Sequence, residues 1–165
     1  MINNKLSLTA NKKDFTIISI SRQRSKHTHF FPKNILSHSI TPSNTVSNLG
    51  VTFDSDCNFR KHIYLTCRSC FYHFRDLRRI RRYISLSVVI IITTALITSR
   101  LDYCNSLLYN IASKDILKLQ CLLNCIARLV TQSPRFSHFI SLMKTLHWFP
   151  IQSCLIFKHC NTDFP

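Results

Sequence analysis

Residues 57–84, CNFRKHIYLTCRSCFYHFRDLRRIRRYI, carry two seven-residue repeats of opposite chemistry. The apolar repeat consists of Ile63, Cys70, Leu77 and Ile84. The basic repeat consists of Lys61, Arg68, Arg75 and Arg82. The repeats are two residues out of phase, which is about 200° of rotation on an α-helix, so they lie on opposite faces. The sequence therefore predicts one long helix with a buried face and a cationic face.

The composition of the whole chain is strongly basic. Its 165 residues include 22 Lys and Arg against 7 acidic residues, all of them Asp, which gives a formal net charge of +15. Such an excess indicates a polyanionic partner, either nucleic acid or an anionic membrane surface. With 45% apolar residues the chain is too hydrophobic for a disordered basic tail, and it is long enough for one modest core.

The glycine and cysteine contents are both unusual. Gly50 is the only glycine, whereas about 7% is typical of a domain. The eight cysteines are not accompanied by a secretory signal, because the opening MINNKLSLTANKK has no apolar core. We therefore expect an intracellular protein, cytoplasmic or nuclear, with reduced thiols. Cys104, Cys121 and Cys125 lie in helical patterns and are predicted to be small buried hydrophobes.

A second helix is predicted from Ser85 or Ser87, as its cap, to about Asn110. The run VVIIITTALI suits a strand by propensity, but the apolar spacing is helical. The positions with that spacing are Val89, Ile92, Leu96, Tyr103 and Leu107. A membrane span needs about 20 apolar residues, and this run is shorter and is closed by Arg100 and Asp102. We expect a buried helix and no transmembrane segment.

The remaining elements are shorter. A third helix is predicted to begin with Ser113 as its cap, with Asp115 in its first turn, and a fourth to cover His138–Leu146 before Pro150. The apolar stripe of the third helix comprises Ile116, Leu119, Leu123, Ile126 and Val130. Ahead of these helices we expect a strand at Phe15–Ile20 and a strand or tight hairpin bent at Gly50. The expected fold class is mainly α, a helical bundle preceded by a small β/α part.

Several blocks of sequence carry a family resemblance when they are taken together and in order. They are NLGVTFDSDCNFRKHI (48–63), RRIRRYIS (78–85), SRLDYCNSLLYN (99–110), LKLQCLLNCIARLV (117–130) and LHWFPI (146–151). In this order and at about this spacing they resemble the later part of the reverse transcriptase of non-LTR (LINE-type) retrotransposons. The opening NNKLSLTANKKDFTIIS is similar to the block that follows the catalytic aspartates in that family.

The resemblance implies a division of the chain and a loss of activity. Residues 1–56 would be the end of the polymerase palm, with a primer-gripping hairpin around Leu49–Phe53, and residues 57–165 would be the helical thumb. Lys12 stands at the position of a lysine that assists nucleotide addition. The catalytic aspartates would precede Met1, so we expect a truncated and inactive piece, with Mg²⁺ needed only by the full-length enzyme. Asn110 and Ala112 replace the family's glycine and proline, which indicates a degenerate copy.

The functional hypothesis is sequence-independent binding to RNA or DNA through basic side chains. The candidate residues are Lys61, Arg68, Arg75, Arg78, Arg79, Arg82 and Arg100. The plainest alternative is a solvated helix face without a partner. The other alternative is an independent basic helical interaction protein that binds an acidic partner or a membrane surface.

Metal binding is not predicted. Cys67–Cys70 and Cys121–Cys125 have the spacing of zinc ligands, but both pairs lie in helical patterns and far apart, unlike a compact zinc finger. The chain has no adjacent pair of aspartates to clamp two catalytic metals. Asp54 and Asp56 are two residues apart at a predicted strand end, where such residues usually cap a turn.

Overall fold

The computed structural model describes residues 16–18, 34–35, 38–39, 43–109 and 111–162. The chain divides into two compact units, Met1–Asn58 and Phe59–Pro165. Over these residues the fold is mainly helical with two small antiparallel strand pairs, which confirms the predicted fold class. Lys12 lies outside the described residues. Thr16–Ile18, the described part of the strand predicted at Phe15–Ile20, are not in a strand.

The first unit contains the two strand pairs. β1 (Asn34–Ile35) pairs with β2 (His38–Ser39), and β3 (Thr45–Asn48) pairs with β4 (Val51–Asp54). The loop between β3 and β4 is two residues long, with φ of 48° at Leu49 and 79° at Gly50. Two successive positive φ angles are what a type I′ hairpin turn requires. Of the two alternatives drawn from the sequence, the tight hairpin bent at Gly50 is the one observed.

The second unit begins with the basic helix. α1 spans Arg60–Ile80 and is continued by a 3₁₀ turn at Arg81–Tyr83. Ile63, Cys70 and Leu77 are buried, so the predicted apolar face is the inner face. The helix starts three residues later than predicted, because Phe59 has a left-handed φ of 53° and stands at its N-cap.

The predicted second helix is interrupted. α2 (Leu86–Thr93) passes through a π turn (Thr94–Thr98) into α3 (Ser99–Asp102), and a 3₁₀ turn follows at Asn105–Leu108. Ser85 stands at the N-cap, but its hydroxyl lies 3.1 Å from the Ser87 hydroxyl and makes no capping bond to the backbone.

The predicted inner face of this segment is wrong apart from Val89. The buried side chains are Val89, Thr93, Ile97, Leu101, Asn105 and Leu108, while Leu96, Tyr103 and Leu107 are exposed and Ile92 is half-buried. The π turn under-winds the helix, so a spacing of four residues stays on one face. The segment is thus buried along one side only, since Val88 and Ile91 on the other side are exposed. Within the described ranges no helix combines the length and apolar character that crossing a membrane requires.

α4 (Ser113–Thr131) is the central helix of the second unit and packs against both α1 and α2. Its buried apolar residues are Leu119, Leu122, Leu123, Ile126, Ala127 and Val130. The N-cap is Ala112 and not Ser113, which is already helical. Asp115 in the first turn is buried, 2.7 Å from the Lys118 ammonium and 3.6 Å from the Arg60 Nε. This carboxylate therefore ties the start of α1 to the start of α4.

Two shorter helices complete the second unit and also pack on α4. α5 spans Phe139–Leu146, close to the prediction, and α6 spans Ile151–Thr162, which the sequence did not predict. Pro150 precedes α6 instead of only ending a helix. Its carbonyl accepts a bond from the Cys154 N–H at 3.0 Å, and the Ile151 N–H donates to Gln120 Oε1 at 2.9 Å. Proline is tolerated there because the first turn of a helix needs no N–H donor.

Candidate nucleic-acid interface

The candidate cations lie along the outer face of α1 and its 3₁₀ continuation. All seven predicted side chains are exposed, and six of them belong to this one element. Lys61, Arg68, Arg75 and Arg82 recur every seven residues, with Arg78 and Arg79 beside them. Between Lys61 and Arg78 the helix is about 26 Å long, at about 1.5 Å per residue. We call these six residues the basic row.

Carboxylates neutralise little of the positive charge of the basic row. In the part of the chain that the structure describes, Arg79 is its only member with a carboxylate within ion-pair distance, at 4.0 Å from Asp76. That pair is exposed, and exposed ion pairs contribute little binding energy. Opposite charge therefore does not cancel the field of this face, which attracts a polyanion.

The seventh predicted residue, Arg100, reaches α1 from α3. Its Nη1 donates a hydrogen bond to the Ser69 hydroxyl at 2.8 Å. One of its donors is thus used within the protein, while the side chain remains exposed. Arg100 is therefore held beside α1 by a tertiary contact, whereas the members of the basic row belong to α1 and its 3₁₀ continuation.

One arginine within the RRIRR run does not belong to this surface. The Arg81 guanidinium donates to the carbonyl oxygens of Leu129 and Val130 at the end of α4, and to that of Ile84, over 2.7–3.2 Å. Carbonyls in the last turn of a helix have no i+4 donor within the helix, and that of Leu129 also accepts a bond from the Gln132 N–H at 3.3 Å. Arg81 therefore connects α1 to α4 and is half-buried.

A set of exposed aromatic side chains, not predicted from the sequence, lies on the same face. The exposed fractions are 60% for Tyr64, 47% for Phe71, 57% for Tyr72 and 72% for Tyr83. The Arg75 guanidinium lies over the Tyr72 ring at 5.4 Å, and that of Arg82 lies over the Tyr83 ring at 4.8 Å. The signal was present, because Tyr64 and Phe71 are three or four residues from members of the basic row, and such residues are neighbours on a helix.

The two thiols of α1 are poorly suited to bind a metal. Burial raises the pKa of the Cys70 thiol to about 11, with Cys67 adding to the rise and Arg100 opposing it, and burial also raises the pKa of Cys67. Zinc binds the thiolate, which a raised pKa disfavours. Over the described residues, no three His, Cys, Asp or Glu side chains are grouped to hold a metal ion.

Two further predicted features are clarified by the structure. Cys121 is exposed and Cys104 and Cys125 are half-buried, so the prediction that these three are buried is wrong for Cys121 and holds only in part for the other two. Cys121 lies on the side of α4 opposite the apolar stripe that packs on the other helices. Asp54 Oδ1 accepts a hydrogen bond from the Asn58 N–H at 2.7 Å, which is a turn-capping arrangement.

Comparison of the chain with models of protein families, with curated proteins and with solved structures found no match.

Proposed function

We propose that this protein binds nucleic acid without sequence preference through the basic row on α1. The observation that carries the proposal is a row of exposed cations along one helix and its 3₁₀ continuation. A strand of B-DNA carries a phosphate about every 3.4 Å, so about 26 Å of helix faces some seven phosphates. Lys61, Arg68, Arg75 and Arg78 lie along this length and Arg79 and Arg82 follow directly, so the basic row can contact most of these phosphates.

The burial of the apolar face favours nucleic acid over a membrane surface. A helix that lies in a membrane interface inserts its apolar face among the lipids and leaves its basic face to the headgroups. In this protein the apolar face of α1, with Ile63, Cys70 and Leu77, is buried inside the second unit. The apolar face is therefore not available to lipids, and the side left exposed carries the basic row, which complements a line of phosphates.

Contacts to phosphate set affinity and register but do not read the base sequence. The proposal therefore specifies binding to RNA or DNA of any sequence, and no catalytic step. The resemblance to the thumb of a non-LTR retrotransposon reverse transcriptase supports the same proposal, since that thumb holds template and primer. We further propose that the chain derives from such a polymerase.

The proposal is tested by fluorescence anisotropy with labelled RNA and DNA 20-mers of unrelated sequences, between 50 and 200 mM salt. We expect similar dissociation constants for all sequences, in the range of about 10⁻⁴ to 10⁻⁶ M near physiological salt. Six phosphate contacts on duplex DNA give a log–log salt slope of up to about −5. Absence of binding at 50 mM salt, or tighter binding to anionic lipid vesicles than to any oligonucleotide, would overturn the proposal.

A further inference from the structure

We propose that the ligand of the α1 surface is single-stranded nucleic acid, whose unpaired bases stack on the rings of Tyr64, Phe71 and Tyr72. The inference rests on the proposed function and specifies its ligand. Single strands and duplexes share the phosphate chemistry that the basic row recognises. The rings distinguish them.

The rings alternate with the cations along one stripe of the helix. The stripe runs Lys61, Tyr64, Arg68, Phe71 and Arg75, with steps of three, four, three and four residues. Such steps follow one line along the surface of an α-helix. Tyr64 and Phe71 each have a cation on either side, and they are seven residues, or about 10.5 Å, apart along the axis.

Tyr72 lies beside this stripe and is also coupled to a cation. It is four residues from Arg68 and three from Arg75, and the Arg75 guanidinium lies 5.4 Å from its ring centre. The Phe71 ring packs edge-to-face against the half-buried Phe74, with 6.2 Å between the ring centres. The three rings are thus exposed to solvent and held next to phosphate-binding groups.

Charge alone would favour a duplex over a single strand on this surface. A duplex has the higher density of phosphates, so a purely cationic face binds it more strongly than a single strand. The bases of a duplex are already stacked on one another and cannot reach the rings. A single strand presents free base faces, and exposed aromatic side chains next to cations stack such bases with little sequence preference. Binding to phosphates needs only the basic row, so the exposed rings beside it are explained by stacking with unpaired bases.

The test uses the full chain and three labelled probes of equal length, all built on the same phosphate backbone. The probes are a mixed-sequence single strand, its duplex, and an abasic single strand that keeps the phosphates but lacks the bases. We expect the ordinary single strand to bind at least about tenfold more tightly than the abasic strand, and more tightly than the duplex. Tyrosine fluorescence should be quenched by the ordinary strand and not by the abasic one.

A ring variant and a matched control separate stacking from general apolar contact. Y64L/F71L/Y72L keeps an apolar side chain at each position, and these exposed sites leave the core untouched. We expect it to lose most of the preference for the ordinary over the abasic strand, with the salt slope unchanged. F136L removes an exposed ring from the loop after α4 and is expected to behave as wild type.

The outcomes distinguish this inference from the proposed function. Equal affinity of the wild type for ordinary and abasic strands, or a preference for duplex with salt-dependent binding retained, overturns the single-strand inference and leaves phosphate binding in place. An unaltered preference in Y64L/F71L/Y72L with native helicity does the same. Absence of binding to all three probes overturns both.

Discussion

The Arg81 guanidinium donates two hydrogen bonds to the Val130 carbonyl oxygen, from Nε at 3.1 Å and from Nη2 at 2.7 Å. Val130 lies in the last turn of α4, where a cation also complements the negative end of the helix dipole. Arg82, the next residue, is exposed and belongs to the basic row. Two adjacent arginines therefore have separate roles, one in stability and one on the candidate binding surface.

Substituting these two arginines one at a time separates the roles. R81Q removes bonds from a charged donor to the end of α4, and we expect it to lower the free energy of unfolding by about 2–3 kcal/mol. R82Q should change stability by about 0.5 kcal/mol or less, as surface substitutions usually do, and should reduce the duplex-DNA salt slope by about 0.9.

Urea unfolding followed by circular dichroism measures the first effect, and anisotropy titrations at several salt concentrations measure the second. In the binding measurement R81Q serves as the control for R82Q, because the salt slope of R81Q should equal that of the wild type. An R81Q variant as stable as the wild type would mean that the Arg81 bonds to α4 contribute nothing to the fold.

The end of α4 carries a strained residue that glycine would relieve. Gln132 has a left-handed φ of 53°, and the Ser133 N–H bonds the Arg128 carbonyl at 3.1 Å in the manner of a Schellman motif. A residue with a Cβ loses about 1–2 kcal/mol in this conformation, and glycine recovers part of it against its greater freedom in the unfolded chain. We expect Q132G to raise the free energy of unfolding by about 0.5–1 kcal/mol.

The matched control is Q132A, which keeps a Cβ and should give no such gain. Thermal unfolding of the three proteins side by side checks the prediction. If Q132G melted below Q132A, the left-handed strain assigned to Gln132 would not exist.

Thiol reactivity should follow burial and pKa. With a pKa of about 11, the fraction of Cys70 present as thiolate at pH 8 is about one thousandth. Cys57, Cys121 and Cys160 are exposed and should react with a maleimide or disulfide reagent within minutes, while Cys70 stays unlabelled in the folded protein. Peptide mass mapping after a timed pulse measures each site, and labelling in urea provides the control. Labelling of Cys70 as fast as Cys121 under native conditions would show that α1 is not packed as described.

The sequence predicted α1 well because its information is local. Two repeats in opposite phase determine both that the segment is helical and which side is buried, and the structure places Ile63 inside and Lys61 outside. The hairpin at Gly50 was predicted for the same reason, since one residue with a special backbone freedom marks the bend.

The features that were missed depend on partners distant in sequence. Arg81 looks like its neighbours until α4 brings Val130, 49 residues away, to its side chain. The π turn at Thr94–Thr98 changes which residues face inward. The sequence pattern did not reveal this change, because apolar residues occur on all sides of this helical segment. α6 was missed because its apolar residues are not confined to one face, with Ile156 and Phe157 exposed beside buried Leu155.

The central claim, that the basic row and not the overall charge binds nucleic acid, is tested by two triple variants. R75Q/R79Q/R82Q removes three charges from the basic row, and K114Q/R135Q/K144Q removes three exposed charges elsewhere. Glutamine keeps helix propensity, so both variants should retain their helicity. Because each lost phosphate contact changes the log–log salt slope on duplex DNA by about 0.9, we expect the first variant to flatten it by about 2–3 units and the second by less than about 1 unit. Equal flattening by both, or an unchanged slope in R75Q/R79Q/R82Q, would contradict the account.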